Sequence, residues 1–243
     1  METTIDGILN RRVMLEQPAK GYRVAVDTVL LAASVPAQAG ERGLDLGCGV
    51  GGAMLCVAAR VSGVVLTGMD VEADMVELCR RNIVRNGFTL DADVSAGDAT
   101  TLHPAFAGRF EHVLMNPPYH DEARHDVSDD TQKRAANTEK SGDLAHWIAA
   151  AAHALKPSGC LTLIHRADRE KDILVTLAAH FGAIELIPIA PKEGASAKRI
   201  IVRARKEAGG DLIRKPPFIL HARDGSFTED AESILRHAAA MPF

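Results

Sequence analysis

The chain has 243 residues with a formal net charge of -4 at pH 7, and 47% of its residues are hydrophobic. This length and this apolar share suit one α/β domain with small additions, so we expect a single catalytic unit. The mildly acidic balance excludes a general nucleic-acid coat and leaves room only for a regional basic patch. No apolar stretch reaches the roughly eighteen residues of a membrane-spanning helix, and residues 1–6 lack a signal-peptide pattern, so a soluble, cytoplasmic protein without membrane contact is expected.

Cysteine and histidine spacing indicates that the protein holds no metal. No two of the four cysteines are spaced as C-x-x-C, and none stands beside a histidine cluster. We therefore expect reduced, buried thiols. The residues concerned are Cys48, Cys56, Cys79 and Cys160, together with His112, His120 and His165, which we interpret as structural or surface histidines.

Residues 1–40 are predicted to form an extension packed on the core. Two apolar runs, at 8–9 and 13–15, flank the polar residues 10–12, a pattern typical of a β-hairpin. Asp27 then precedes the apolar run that starts at Thr28, so its side chain is expected to cap a short helix over one edge of the main sheet.

From residue 42 onward, strand-like runs alternate with helical periodicity. This alternation predicts a Rossmann-like α/β fold with a mostly parallel, doubly wound sheet, and we assign residues 41–243 to one domain. Two β-type runs without a helix between them, at 184–189 and 200–204, predict an antiparallel pair at one edge of that sheet.

A glycine-rich turn, LDLGCGVGG, follows the first predicted strand of this domain. Such a turn brings backbone close to a ligand, because a Cβ at Gly47, Gly49 or Gly51 would obstruct the approach. The same letters match the dinucleotide pattern G-x-G-x-x-G, with Asp70 about twenty residues later. Asp45, directly before the glycines, favours S-adenosylmethionine instead, since it attracts the cationic amino-acid end of that cofactor and repels a pyrophosphate.

Two more carboxylates stand at the ends of the next predicted strands. Asp70 can accept hydrogen bonds from both ribose hydroxyls, and Asp98 can accept one from the adenine amine while the Ala99 N–H meets a ring nitrogen. A helix N-cap at Asp70 and a turn-forming role for Asp98 are the alternatives. The predicted cofactor-binding residues are Asp45, Gly47, Cys48, Gly49, Gly51, Asp70, Val71, Asp98, Ala99 and Asn116.

The sequence Asn116-Pro117-Pro118-Tyr119 directly follows the apolar run at 113–115. An aromatic amine is a poor nucleophile because its lone pair is delocalised. Acceptors at the Asn116 side-chain oxygen and the Pro117 carbonyl would turn that lone pair toward a methyl donor, and Tyr119 can stack on the base. The pattern therefore predicts an amino-methyltransferase with Asn116, Pro117 and Tyr119 as catalytic residues, against the alternative of a simple strand-ending turn.

Residues 121–140 form the one long stretch without apolar periodicity. Their position directly after Tyr119 predicts a lid over the site, and a solvated loop without a role is the alternative.

A basic stretch runs from Lys192 to Lys215. On a strand, Arg199, Arg203 and Arg205 would share one face that could meet phosphates. A sheet edge protected by charge explains the same pattern equally well.

Five motifs distributed over most of the chain indicate one family. They are Gly21 to Ala32, the turn from Asp45 to Gly52, Asn116 to Tyr119, Leu155 to Gly159, and Ala197 to Val202. With these motifs the chain resembles the bacterial tRNA1(Val) adenine-37 N6-methyltransferases, although Gly51-Gly52 is softer than in many members. The resemblance implies S-adenosylmethionine as cofactor and an adenine amine of tRNA as acceptor. It also places the segment from Tyr22 to Asp27 at the mouth of the active site, so the expected substrate-binding residues are Tyr22, Asp27, Tyr119, Lys198 and Arg199.

Two other functions fit the same motifs. The related protein glutamine methyltransferases share Asn-Pro-Pro-Tyr, but they carry a longer helical leader than the roughly forty residues expected here. A non-catalytic, cofactor-sensing RNA-binding protein would use the turn and the basic stretch without transferring a methyl group.

Overall fold

The computed structural model describes residues 1–21, 23–89, 91–98, 101, 104–118 and 143–243. The predicted lid at 121–140 lies outside the described residues, as do Tyr22, Ala99, Tyr119 and His120. Within the described ranges, no helix combines the length and the apolar character that crossing a membrane requires.

The regular elements follow the predicted alternation of strands and helices. The strands are β1 (Thr3–Ile8), β2 (Val13–Pro18), β3 (Arg42–Leu46), β4 (Val65–Asp70), β5 (Ala92–Ala96), β6 (Phe110–Met115), β7 (Leu155–Arg166), β8 (Phe181–Lys192), β9 (Arg199–Lys206), β10 (Ile213–Arg214) and β11 (Phe218–His221). The helices are α1 (Val26–Ser34), α2 (Gly52–Arg60), α3 (Ala73–Arg85), α4 (Asp143–Ala154), α5 (Glu170–Leu177) and α6 (Glu229–His237).

The first two strands form an antiparallel hairpin in which Ile8 lies opposite Val13. The turn between them carries three consecutive residues with positive φ, at Leu9, Asn10 and Arg11. The outward-facing β1 is largely exposed and β2 largely buried. The hairpin therefore packs on the domain through β2.

Helix α1 departs from the sequence prediction in two ways. It begins at Val26, so Asp27 lies inside its first turn and caps nothing; the residue at the cap position is Ala25, which makes no side-chain cap. The helix packs on α2, α6 and the interior strands β6, β7 and β9, so the expected position over a sheet edge was wrong. The reason is its composition, since residues 29–33 are apolar, residues 28–34 are all buried, and a helix that is buried on all sides belongs between layers.

The main sheet has the strand order β10–β8–β9–β7–β6–β3–β4–β5, with β11 also paired to β8. Strand β9 runs antiparallel to both β7 and β8, and the other pairings in this sheet are parallel. The predicted mostly parallel sheet with an antiparallel pair toward one side is confirmed. The carboxyl ends of the parallel strands and the amino end of β9 consequently meet at one edge, called the carboxyl edge below.

Helices cover both faces of the sheet. The hairpin, α1, α2, α3 and α6 bury one face, and α4 and α5 bury the other. All four cysteines are free and buried, as the sequence predicted.

Candidate cofactor and methyl-acceptor site

Three of the predicted site residues lie in one row at the carboxyl edge. Leu46 at the end of β3 pairs with Met69 of β4 on one side and with Met115 of β6 on the other. Gly47, Asp70 and Asn116 each follow these paired residues by one position. Since neighbouring strands are about 4.8 Å apart, the three backbone positions fall within about 10 Å of one another. The fold thus places the glycine turn between a carboxylate and the Asn-Pro-Pro turn.

Hydrogen bonds to acceptors on β4 fix the start of the glycine turn. The Gly47 and Cys48 N–H groups both donate to the Met69 carbonyl oxygen, at 2.8 and 2.9 Å. The Gly49 N–H donates to Asp70 Oδ2 at 2.8 Å. The turn is therefore held in place by β4, the strand that also carries Asp70, the residue predicted to bind the ribose.

The glycines of this turn differ in what a side chain would meet. A Cβ at Gly47 would lie 2.5 Å from the Trp147 ring, and one at Gly51 would lie 2.7 Å from the Cys79 sulfur. A Cβ at Gly49 would meet no atom within 4 Å. Gly47 and Gly51 are therefore needed for packing against α4 and α3, whereas Gly49 leaves open space in which a ligand can approach the backbone.

Asp45 lies beneath the turn and is only 2% exposed. Its Oδ2 accepts a hydrogen bond from the Met54 N–H in the first turn of α2, at 3.1 Å. Burial raises the pKa of Asp45 to about 7, and the negative charge of Asp70 adds to the rise while the Met54 hydrogen bond opposes it. A cationic group bound near the turn would favour the ionised carboxylate.

Both oxygens of Asp70 accept backbone hydrogen bonds, Oδ2 from Gly49 and Oδ1 from Glu72 at 3.0 Å. Each oxygen keeps a further lone pair, which a ligand hydroxyl can use. The N-cap of α3 is Glu72, so Asp70 does not hold that position. Val71, the next residue, is 71% exposed and offers an apolar surface beside the carboxylate.

The end of β5 brings the third predicted carboxylate to the same place. The Gly97 N–H donates to the Asp70 carbonyl oxygen at 2.9 Å. Asp98 follows directly and is exposed. The ends of β4 and β5 thus lie side by side. Asp70, Val71 and Asp98 are on the β4 and β5 side of the glycine turn, called the outer side below.

The Asn-Pro-Pro turn follows β6, on the opposite side of the glycine turn from β4. Asn116 is half-buried, Pro117 is buried and Pro118 is exposed. Proline fixes φ, so the Pro117 carbonyl is held by a rigid backbone at the carboxyl edge. The two predicted acceptors for an amine therefore lie one strand away from Gly47.

Trp147 of α4 is a site residue that the sequence did not reveal. Its half-buried ring lies against Gly47, and it is the chain's one tryptophan. Helical periodicity predicts α4, but it does not show which loop the helix touches.

Two distant motifs of the predicted substrate side meet in an ion pair. Arg199 Nε lies 2.7 Å from Asp27 Oδ2. Arg199 is the first residue of β9 and lies opposite Arg166 at the end of β7, so the pair is at the carboxyl edge. Lys198 beside it is exposed. The structure thus brings Asp27, Lys198 and Arg199 to the same edge as Asn116.

Most of the basic stretch serves the fold itself. Arg203 donates to the Ser34 carbonyl oxygen and stacks on the Phe243 ring at 3.5 Å, and burial lowers its pKa to about 10. Arg205 donates to the Ser158 carbonyl oxygen at 3.2 Å. Strand β9 therefore does not present a continuous phosphate-binding face made of Arg199, Arg203 and Arg205.

Among the described residues, no group of three or more histidine, cysteine or acidic side chains could hold a metal ion. His165 is fully buried, and desolvation lowers its pKa to about 4, so its ring is neutral near pH 7. His112 is also buried, with Nε2 at 2.7 Å from Glu41 Oε2. Both histidines are thus buried side chains packed inside the fold.

The fold and the turn at the carboxyl edge define a class I S-adenosylmethionine-dependent methyltransferase. A solved structure described as a predicted O-methyltransferase from Agrobacterium tumefaciens superposes with a TM-score of 0.75 at 28% identity, and covers 88% of this chain and 98% of its own. The sequence profile of the methyltransferase small domain matches residues 22–192. The chain belongs to that family.

Curated relatives of the chain carry two kinds of RNA-methyltransferase name. The tRNA1(Val) (adenine(37)-N6)-methyltransferase of Porphyromonas gingivalis is 28% identical over 181 residues, which is 70% of this chain and 69% of that protein. The ribosomal RNA small subunit methyltransferase C of Sodalis glossinidius is 35% identical over 102 residues, 42% of this chain and 26% of that protein. Similarity to the Porphyromonas gingivalis protein extends over the larger part of both chains.

Proposed function

We propose that the protein transfers a methyl group from S-adenosylmethionine to the N6 amine of an adenine in tRNA, with adenine 37 of tRNA1(Val) as the expected target. The observation that carries this proposal is the row at the carboxyl edge, in which Gly47 stands between Asp70 and Asn116. A cofactor bound along the outer side of this row would have its sulfonium end beside the turn that accepts the amine.

The residues around the open Gly49 fit the parts of the cofactor. Asp45 supplies negative charge beneath the turn for the ammonium group, and the free lone pairs of Asp70 suit the ribose hydroxyls. The exposed face of Val71 suits the flat adenine ring, with Asp98 near the adenine amine. In this proposal Cys48 and Ala99 contribute backbone contacts.

On the substrate side, the chain's part is to orient the amine. When bound, S-adenosylmethionine supplies a methyl group on a positively charged sulfur. The Asn116 side-chain oxygen and the Pro117 carbonyl accept the two amine hydrogens, which turns the nitrogen lone pair toward that methyl. The methylated amine is acidic enough to lose its proton to water. Tyr119 stacks on the extruded base and offsets part of the stacking that the base loses in its own strand.

The edge of β9 completes the substrate side. Asp27 and Arg199 fix each other, and exposed Lys198 beside them can meet a phosphate. These residues would lie at the entrance to the site, and Tyr22 is proposed to take part in substrate binding. The extended similarity to tRNA1(Val) methyltransferases favours tRNA over ribosomal RNA as the partner, and it favours RNA over a protein glutamine.

Replacing Asn116 with alanine separates binding from turnover. We expect Asn116→Ala to lower methyl transfer to tRNA about 100-fold or more, because one acceptor of the developing charge is removed. Affinity for S-adenosylhomocysteine, measured by titration calorimetry, should fall far less than turnover, because Asn116 is only one of several predicted cofactor-binding residues. Undiminished turnover in this variant would contradict the proposed role.

A further inference from the structure

Asn82 in the last turn of helix α3 and Asn86 at its C-cap are four positions apart and therefore lie on the same face. Asn82 accepts from the Glu16 N–H at 2.7 Å and donates to the Glu16 carbonyl oxygen at 2.9 Å. Asn86 makes the same pair of hydrogen bonds with Met14, at 2.8 and 2.9 Å. The two side chains thus pair with alternate residues along β2 and fasten the hairpin to the domain.

The third hydrogen bond of each side chain goes to a different place. Asn82 Nδ2 also donates to the Val50 carbonyl oxygen, at 3.0 Å. Asn86 Nδ2 instead donates to the Asn82 carbonyl oxygen in the last turn of α3, at 2.7 Å. Val50 lies in the middle of the glycine turn, between Gly49 and Gly51. Only the first of these two otherwise similar asparagines therefore touches the turn.

Asn82 holds the turn from a direction that the strands do not supply. The Gly47, Cys48 and Gly49 N–H groups all donate to acceptors at the end of β4. Val50 is 7% exposed and Asn82 is fully buried, so loss of the carboxamide would leave the Val50 carbonyl without this buried partner. A carbonyl in that position tends to rotate to find another donor, and the open backbone at Gly49 would rotate with it.

The hairpin in turn contacts the segment that leads to the substrate side. Gln17 Oε1 accepts from the Val24 N–H at 3.0 Å, and Arg23 pairs with Asp6 at 2.6 Å. A Cβ at Gly52 would lie 2.6 Å from the Val24 side chain, so this segment packs directly on the end of the glycine turn. The hairpin, the turn and the segment after residue 22 form one connected unit.

From this geometry we propose that Asn82 is a positioning residue that sets the conformation of the cofactor turn and couples cofactor binding to the N-terminal hairpin. The inference rests on the proposed cofactor site at the turn. Coupling in binding is reciprocal, so if Asn82 in contact with the hairpin improves cofactor affinity, the bound cofactor must stabilise the contact between Asn82 and the hairpin.

The matched variants Asn82→Ala and Asn86→Ala test this proposal. Each loses two hydrogen bonds to β2, but only Asn82→Ala loses the bond to Val50. We expect S-adenosylhomocysteine to bind Asn82→Ala about tenfold more weakly than wild type, and Asn86→Ala within about twofold, by titration calorimetry. Urea unfolding of both variants reports their loss of stability separately. Equal affinities in the two variants would overturn the proposal.

Hydrogen exchange on the wild-type protein tests the coupling between cofactor binding and the hairpin even if Asn82→Ala does not fold. Saturating S-adenosylhomocysteine should slow exchange of the Glu16 amide more than that of the Met14 amide, because only Glu16 shares its partner with the turn. Equal protection of the two amides would refute the coupling. The proposed site fails separately, if wild-type protein does not bind S-adenosylhomocysteine or if Gly49→Ala leaves binding unchanged.

Discussion

Substituting alanine at Gly47 should cost more stability than at Gly49, whereas substituting alanine at Gly49 should weaken cofactor binding through loss of the open space at the turn. Both residues have positive φ, 70° and 54°, which costs an L-residue about 1–2 kcal/mol. At Gly47 the new methyl would also lie 2.5 Å from Trp147, and such overpacking adds about 1–3 kcal/mol. We therefore expect Gly47→Ala to lower the free energy of unfolding by about 2–5 kcal/mol. Gly49→Ala has only the backbone cost of about 1–2 kcal/mol.

Cofactor affinity should be lost in Gly49→Ala, the variant that keeps more of its stability. The methyl of Gly49→Ala would fill the open space in which the ligand meets the backbone, so its affinity for S-adenosylhomocysteine should fall at least about tenfold. The assays are urea unfolding and titration calorimetry on the same preparations. Wild-type affinity in a folded Gly49→Ala variant would refute the assignment of this turn to the cofactor.

Further predictions follow from the charges and rings around the site. The pKa of Asp45 is about 7 when folded against about 3.9 when unfolded, so its contribution to stability is complete below pH 4 and is lost as pH rises through 7. The free energy of unfolding of Asp45→Asn relative to wild type, measured in urea, should therefore rise by up to about 4 kcal/mol between pH 4 and pH 8. A difference that does not depend on pH would contradict this. Arg203→Ala should lower stability by about 2 kcal/mol and leave tRNA affinity unchanged. Lys198→Ala should keep stability but weaken tRNA binding, and the slope of log affinity against log salt concentration should fall by the amount of about one phosphate contact. Emission from Trp147 should change when S-adenosylhomocysteine binds, and a constant spectrum at saturation would place the ligand elsewhere.

Local sequence patterns predicted the fold well because they act over short distances. Alternating strands and helices gave the sheet, and glycine spacing gave the turn after β3. The hairpin was recognisable from two apolar runs around a polar turn. Each of these features depends on neighbours in the chain, which a single sequence displays.

The errors and omissions concern contacts between distant residues. Asp27 looked like a helix cap, but its partner is Arg199, which is 172 positions away. Arg203 looked available for phosphates until its contacts with Ser34 and Phe243 were known. Asn82 is an ordinary polar residue in the sequence of α3, and only the fold shows that it joins the hairpin to the turn. Such roles depend on tertiary packing, for which one sequence carries no local signal.

The most direct test of the proposed function is methyl transfer from labelled S-adenosylmethionine to unmodified total tRNA, followed by nuclease digestion and mass identification of the labelled nucleoside. The proposed function predicts N6-methyladenosine in the wild-type reaction and its loss with Asn116→Ala. Label in ribosomal RNA alone, in protein glutamine, or in no acceptor while the cofactor binds would contradict the proposed substrate.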